Sequence, residues 1–123
     1  MYKTFNQMPI WKQAMNISMK VFKLSDKLPR KEDYGLTSQV RRSANSIGAN
    51  IAEGFGRKHL KDKKNFYIFA RGSVNETIHH LIYGVNIGYF NEDTVDKLIQ
   101  EIKCLIYEIN KVVKTLENWK PKI

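Results

Sequence analysis

The segment VDKLIQEIKCLIYEINKVVKTL, residues 95–116, decides the fold. Val95, Leu98, Ile102, Leu105, Ile109, Val112 and Leu116 recur at alternating spacings of three and four, which puts them on one face of an α-helix. Ile99, Ile106 and Val113 broaden that face. Asn91 is a suitable N-cap, and Glu92 and Asp93 place negative charge at the positive end of the helix dipole. The helix is expected over about 92–118, ending near Trp119 and before Pro121.

The same period recurs upstream. Ile10, Ala14, Ile17, Val21, Leu24 and Leu28 form a second seam, widened by Trp11, Met15 and Phe22. Pro9 suits the first turn of that helix, and Pro29 stops it, so its span is about 9–28. After a polar connector at 30–35, Leu36, Val40, Ala44, Ile47 and Ile51 predict a helix over about 36–53. Gly54 and Gly56 are expected to end it. Gly48 is costly inside this helix, so a bend or a close backbone contact is expected there. A helix over about 61–88 presents Phe66, Phe69, Ala70, Ser73, Val74, Thr77, Leu81 and Val85 inward and closes at Gly88. Four amphipathic helices with short linkers, and no competing strand pattern, predict one all-α domain over residues 1–123. Its expected form is an up-down-up-down, left-handed four-helix bundle.

Composition narrows the function. Apolar residues at 42% and charged residues at 27% mark a chain that folds rather than a disordered one. The single cysteine, Cys104, excludes an internal disulfide and a Cys-rich zinc site. No apolar run approaches the roughly 20 residues that span a bilayer, and the N-terminus lacks the apolar core of a signal peptide. A cytoplasmic protein without membrane attachment is therefore expected. The 21 Lys and Arg against 12 Asp and Glu leave a net charge of +9, which favours polyanionic partners.

Within the second and third helices an ordered set of motifs stands out. Tyr34-Gly35-Leu36 is followed by Gln39-Val40-Arg41-Arg42-Ser43-Ala44, then Asn50-Ile51-Ala52-Glu53-Gly54, then Ala70-Arg71-Gly72-Ser73 and Glu76. This set resembles the family of small four-helix-bundle proteins encoded within 23S rRNA intervening sequences. Relatives of that family include the accessory variability determinants of diversity-generating retroelements. The resemblance runs from about Trp11 to Leu116 and is most specific between Tyr34 and Glu76. It implies a homo-oligomeric ring of five subunits and no enzymatic activity. In the retroelement branch it also implies a basic surface that engages a reverse transcriptase and nucleic acid. The chain departs from the family pattern at Gly48, where proline is usual, at Lys63, where an aromatic residue is common, and at Ile78, where glutamate is frequent.

Two basic groups are candidate contacts for RNA or DNA phosphates. Arg57, Lys58, Lys61, Lys63 and Lys64 lie at the joint between helices two and three. Lys12, Asn16, Lys20, Lys23 and Lys27 share the face of helix one opposite its apolar seam. Neither group has the spaced aromatics of a base-stacking platform, so sequence readout is not expected. The charged members of the family block, Arg41, Arg42, Glu53, Arg71 and Glu76, read as pairs that fix helix register or subunit contacts.

Glu76-Thr77-Ile78-His79 has the Glu-x-x-His spacing of di-iron bundles, but no second copy accompanies it. Adjacent His79 and His80 are expected on different helix faces. No catalytic residue, metal site or cofactor is expected. The function that follows is electrostatic binding of nucleic acid by a non-catalytic assembly. The alternative is a structural adaptor that recruits a protein partner, such as a reverse transcriptase.

Overall fold

The computed structural model describes residues 1–119, so Pro121 lies outside the described residues. The chain forms α1 (Pro9–Ser25), α2 (Leu36–Gly56), α3 (Leu60–Asn86) and α4 (Glu92–Asn118). Short 3₁₀ turns occupy Phe5–Gln7 and Arg30–Glu32. No strand occurs among the described residues, and the four helices pack as an up-down-up-down bundle. No helix among them is long and apolar enough to cross a membrane.

The buried residues of α4 are Val95, Leu98, Ile102, Leu105, Ile109 and Val113. The seam therefore leaves the expected Val112, which is only half-buried, for Val113. A straight helix turns once per 3.6 residues, so a strict heptad seam drifts around it. Asn91 caps α4 through its side-chain oxygen, which accepts from the Thr94 N–H at 3.0 Å.

α1 ends at Ser25, three residues before the expected Leu28. Arg41 of α2 reaches across to its last turn. The guanidinium donates to Ser25 Oγ at 2.7 Å and to the Phe22 carbonyl at 3.4 Å, and it lies 4.0 Å over the Phe22 ring. These contacts add a donor from α2 to the last turn of α1, whose Phe22 carbonyl also accepts from the Asp26 N–H at 3.1 Å. Trp11, which also widens the seam, is half-buried, whereas Met15 and Phe22 are exposed.

α2 runs three residues beyond the expected Glu53, through both Gly54 and Gly56. Gly54 does not terminate the helix. A Cβ there would meet Tyr67 Cε1 at 3.0 Å and Phe66 Cβ at 3.2 Å, so its missing side chain lets α3 approach. Gly48 faces Trp11 and Ala14, and a Cβ would meet them at 3.6 and 3.8 Å, an ordinary contact distance. The packing there does not require glycine.

The α2–α3 seam is the closest in the bundle. At its centre Thr77 Oγ1 donates to Ser43 Oγ at 3.0 Å, with both residues fully buried. The inner face of α3 is Tyr67, Ala70, Val74, Thr77, Leu81 and Gly84. Phe69, expected inward, is 54% exposed, while Tyr67 takes the buried position beside Gly54. The face is set by where α2 has room for a ring.

Gly88 adopts φ 87°, the left-handed geometry that closes a helix, as expected. The Tyr89 and Phe90 N–H groups then both donate to the Gly84 carbonyl, at 2.8 and 3.1 Å. This turn folds the Phe90 ring onto Gly84, where an added Cβ would overlap it. Gly84→Ala should therefore cost about 1–3 kcal/mol through overpacking. Gly48→Ala, which meets only ordinary contacts, should gain up to about 1 kcal/mol from helix propensity. Urea denaturation of the two variants beside the parent protein measures both.

Candidate nucleic-acid interface

The antiparallel topology separates most of the α1 lysines from the 57–64 group. Residues 57–64 lie at the end of the bundle where α2 passes to α3, whereas the C-terminal half of α1 lies toward the other end. α1 has 17 residues, so its length is roughly 25 Å. Lys12, near the start of α1, lies at the same end as the 57–64 group, whereas Lys20, Lys23 and Lys27 lie toward the other.

Within the 57–64 group, three cations are held by the chain itself. Arg57 pairs with Glu53 at 3.3 Å, one helical turn back, and lies 4.6 Å over the Phe66 ring. Lys63 turns inward to the end of α2, donating to the Phe55 carbonyl at 2.7 Å and the Gly54 carbonyl at 3.3 Å. Burial pushes its ammonium below the usual lysine range. Lys63 thus serves the last-turn carbonyls of α2 from α3. Lys64 reaches Glu117 of α4 at 3.7 Å. Lys58 and Lys61 are exposed and make no ion pair among the described residues.

On α1, Lys20 pairs with Glu101 of α4. Lys12, Lys23 and Lys27 are exposed and enter no ion pair among the described residues. The candidate phosphate contacts thus divide into five open lysines, namely Lys12, Lys23, Lys27, Lys58 and Lys61, and four cations with intramolecular partners.

The charged residues of the family block lie in separate contacts. Arg42 donates to Glu76 across the α2–α3 seam and to Gln39 Oε1 at 3.1 and 3.3 Å. His80, one turn along α3, also meets Glu76, at 3.1 Å. Arg41 reaches Asp26 at 3.4 Å in addition to the end of α1. Glu53 holds Arg57, and Arg71 donates to the Asn110 amide oxygen at 2.8 Å rather than to a carboxylate. The rings of His79 and His80 touch edge to face at 5.3 Å, closer than their expected placement on different faces. Only His80 contacts Glu76, so the Glu-x-x-His spacing brings no ligand pair together. Among the described residues no group of three His, Cys, Asp or Glu side chains could hold a metal ion.

Sequence reasoning missed Glu32. One carboxylate oxygen accepts from the Leu36 N–H at the start of α2, and the other from the Tyr89 hydroxyl at 3.0 Å. That bond raises the Tyr89 phenol above its usual range. The only sequence signal was an acid four residues ahead of a helix start.

Burial pulls the Glu76 carboxyl upward, but the His80 hydrogen bond and the Arg42 charge outweigh it and hold it below the usual carboxylate range. A lowered carboxyl contributes stability that is complete above its unfolded value, about 4.3, and is lost as pH falls through the lower folded value. Glu76→Gln should therefore be less stable than the parent protein at about pH 7, and the difference should shrink toward about pH 3. Denaturant titrations at the two pH values read this directly.

The sequence profile of the family described as 23S rRNA-intervening sequence protein matches residues 6–111. A search of curated proteins finds no match. Among solved structures, the chain is similar to a protein of unknown function from the S23 ribosomal protein family of Bacteroides thetaiotaomicron. The TM-score is 0.79 and the identity 20%, over 86% of this chain and 99% of that one, which establishes a shared fold. With the profile covering most of its length, the chain belongs to the 23S rRNA-intervening sequence protein family.

Proposed function

We propose that this chain is a non-catalytic, basic helical-bundle protein that binds nucleic acid by charge and without strong sequence preference. The observation that carries this reading is the set of five open lysines, Lys12, Lys23, Lys27, Lys58 and Lys61, on a chain of net charge +9. Phosphate binding needs such cations because each one that meets a phosphate releases condensed counterions. The paired residues Lys20, Arg57 and Lys64 are exposed enough to exchange a carboxylate for a phosphate, whereas Lys63 serves the end of α2. Slight sequence preference follows from the lack of side chains arranged to read base edges.

The chain acts as a homo-oligomer in this reading, as a ring of five by its resemblance to family members. Met15, Met19 and Phe22 expose apolar surface along α1 that suits contact with a second copy. Light scattering at micromolar concentration should give a mass well above 14.4 kDa, and a monomer would count against assembly. The alternative, a structural adaptor for a protein such as a reverse transcriptase, predicts no binding of RNA or DNA even in dilute salt.

Titration with RNA and DNA of mixed sequence separates the two readings. With 6–10 phosphates neutralised, affinity should fall about 10³–10⁵-fold between 50 and 200 mM salt. Replacing Lys12, Lys58 and Lys61 by Gln should weaken binding and flatten the salt slope by about one for each phosphate left without its lysine. These side chains are exposed, so the circular-dichroism spectrum should not change. An intact oligomer that ignores both polymers at low salt would overturn the reading.

A further inference from the structure

The second half of α4 carries rings among its lysines. Lys103, Tyr107, Lys111, Lys114 and Asn118 recur at spacings of four, four, three and four, which sets them on one face, opposite the buried Leu98, Ile102, Leu105 and Ile109. All five are exposed, Tyr107 by 64%. The Lys111 ammonium lies 5.5 Å from the centre of the Tyr107 ring. Trp119, 54% exposed, follows the helix and borders an open depression of about 600 Å³ with Lys111, Lys114, Thr115 and Asn118. From Tyr107 to Asn118 the stripe extends roughly 16 Å along the axis.

The acids beside this stripe are engaged, Glu108 by Lys111 at 3.5 Å and Glu117 by Lys64 at 3.7 Å. Lys103 and Lys114 enter no ion pair among the described residues. The up-down topology returns this half of α4 to the end of the bundle that holds Lys12, Lys58 and Lys61, and the Lys64–Glu117 contact joins α4 to α3 there. Asp62, at the start of α3, is the acid at this end that stays outside an ion pair among the described residues. Asp33, Glu92, Asp93 and Asp96 lie at the opposite end.

Rings and ammonium groups on one helical face suit a nucleotide strand with unpaired bases, since each base can stack while its phosphate meets a lysine. A duplex hides its base faces and would use the lysines alone. A second copy of the chain fits less well. Cores of protein interfaces are depleted in lysine, yet lysines flank both rings here. The acids Glu92, Asp93 and Asp96 of such a copy begin α4 beside the groove that its own Lys23, Lys27 and Lys97 line, and its Asp33 follows Arg30 and Lys31. Exposed rings on α3 lack this setting. Phe69 and Tyr83 stand on a stretch, 65–86, whose two full charges, Arg71 and Glu76, are engaged within the chain.

We propose that the outward face of α4 from Lys103 to Trp119 is a stacking platform for single-stranded RNA or DNA. Tyr107 and Trp119 meet the bases, and Lys103, Lys111 and Lys114 meet the phosphates. This rests on the nucleic-acid reading and adds which strands bind and where.

The probes are fluorescein-labelled strands of about 12 uridines or thymidines and a mixed-sequence DNA duplex of about 12 base pairs, titrated with the intact protein in about 50 mM salt. The variant Y107A/W119A should bind both single strands at least about tenfold more weakly, because stacking uses the base face and not the 2′-hydroxyl. Its affinity for the duplex should stay within about twofold of the parent, and its salt slope should not change, because no phosphate contact is lost. Y107F/W119F keeps both rings and should stay within about threefold of the parent on single strands. Saturation with the uridine strand should quench tryptophan emission more in the parent than in W119F, since a stacked base quenches the ring beneath it. Both side chains are more than half exposed, and unchanged circular dichroism verifies that the variants fold.

If the parent binds neither single strands nor duplex, the nucleic-acid reading fails and the platform with it. If the parent binds and Y107A/W119A keeps its single-strand affinity, or loses duplex as much as single strand, the platform is overturned while binding by charge stands. It is equally overturned if W119F is quenched as much as the parent. Light scattering that shows Y107A/W119A with a smaller assembly and parental strand binding would assign the rings to self-contact and overturn the proposal.

Discussion

α2 and α3 pack closely because small or polar-paired side chains occupy their shared face, and the other helices are laid onto that pair. Ser43 and Thr77 meet through a hydrogen bond at full burial, in which Thr77 donates and the Ser43 hydroxyl donates in turn to the Val40 carbonyl. A buried hydroxyl without a partner would oppose folding, so the pair favours one relative register of the two helices. Gly54 extends the same close approach to the far end, where Tyr67 and Phe66 pack against bare backbone. The Arg42–Glu76 contact reinforces that register at the surface.

Several cations that read as surface charge serve this scaffold. Arg41 reaches the last turn of α1 from α2, and Lys63 reaches the last turn of α2 from α3, each donating to backbone carbonyls there. Glu32 performs the opposite task at the start of α2 and links it to the turn between α3 and α4. A long charged side chain can bury its stem and still deliver its polar head to a helix end. Internal pairing leaves the net charge of +9 unchanged and decides which cations stay open to a partner.

What is left open has a distinct distribution. Lys58 and Lys61 lie where α2 passes to α3, and Lys12, Lys23 and Lys27 lie along α1. Lys23 and Lys27 also line the groove between α1 and α4, with Lys97 across it.

Residue order alone determined the four helices, because burying a stripe with a 3.6-residue period leaves a mark in every turn of α1 and α4. It also determined the local stops, Gly88 with its left-handed backbone and Asn91 with its cap, since both depend on neighbours within a few residues. The ends of α1 and α2 were misplaced where contacts arrive from other helices, Arg41 at the end of α1 and Lys63 at the end of α2. The choice of Tyr67 over Phe69 was equally illegible, because both rings sit in an aromatic stretch and only the space beside Gly54 selects one. The candidate site followed the same division. The sequence identified which residues carry charge, but Lys20 finds Glu101 eighty-one positions away, and Lys97 joins the α1 lysines only across a helix seam. Only the folded chain decides which charges are spent on each other, because pairing depends on distance in space and not on separation along the chain.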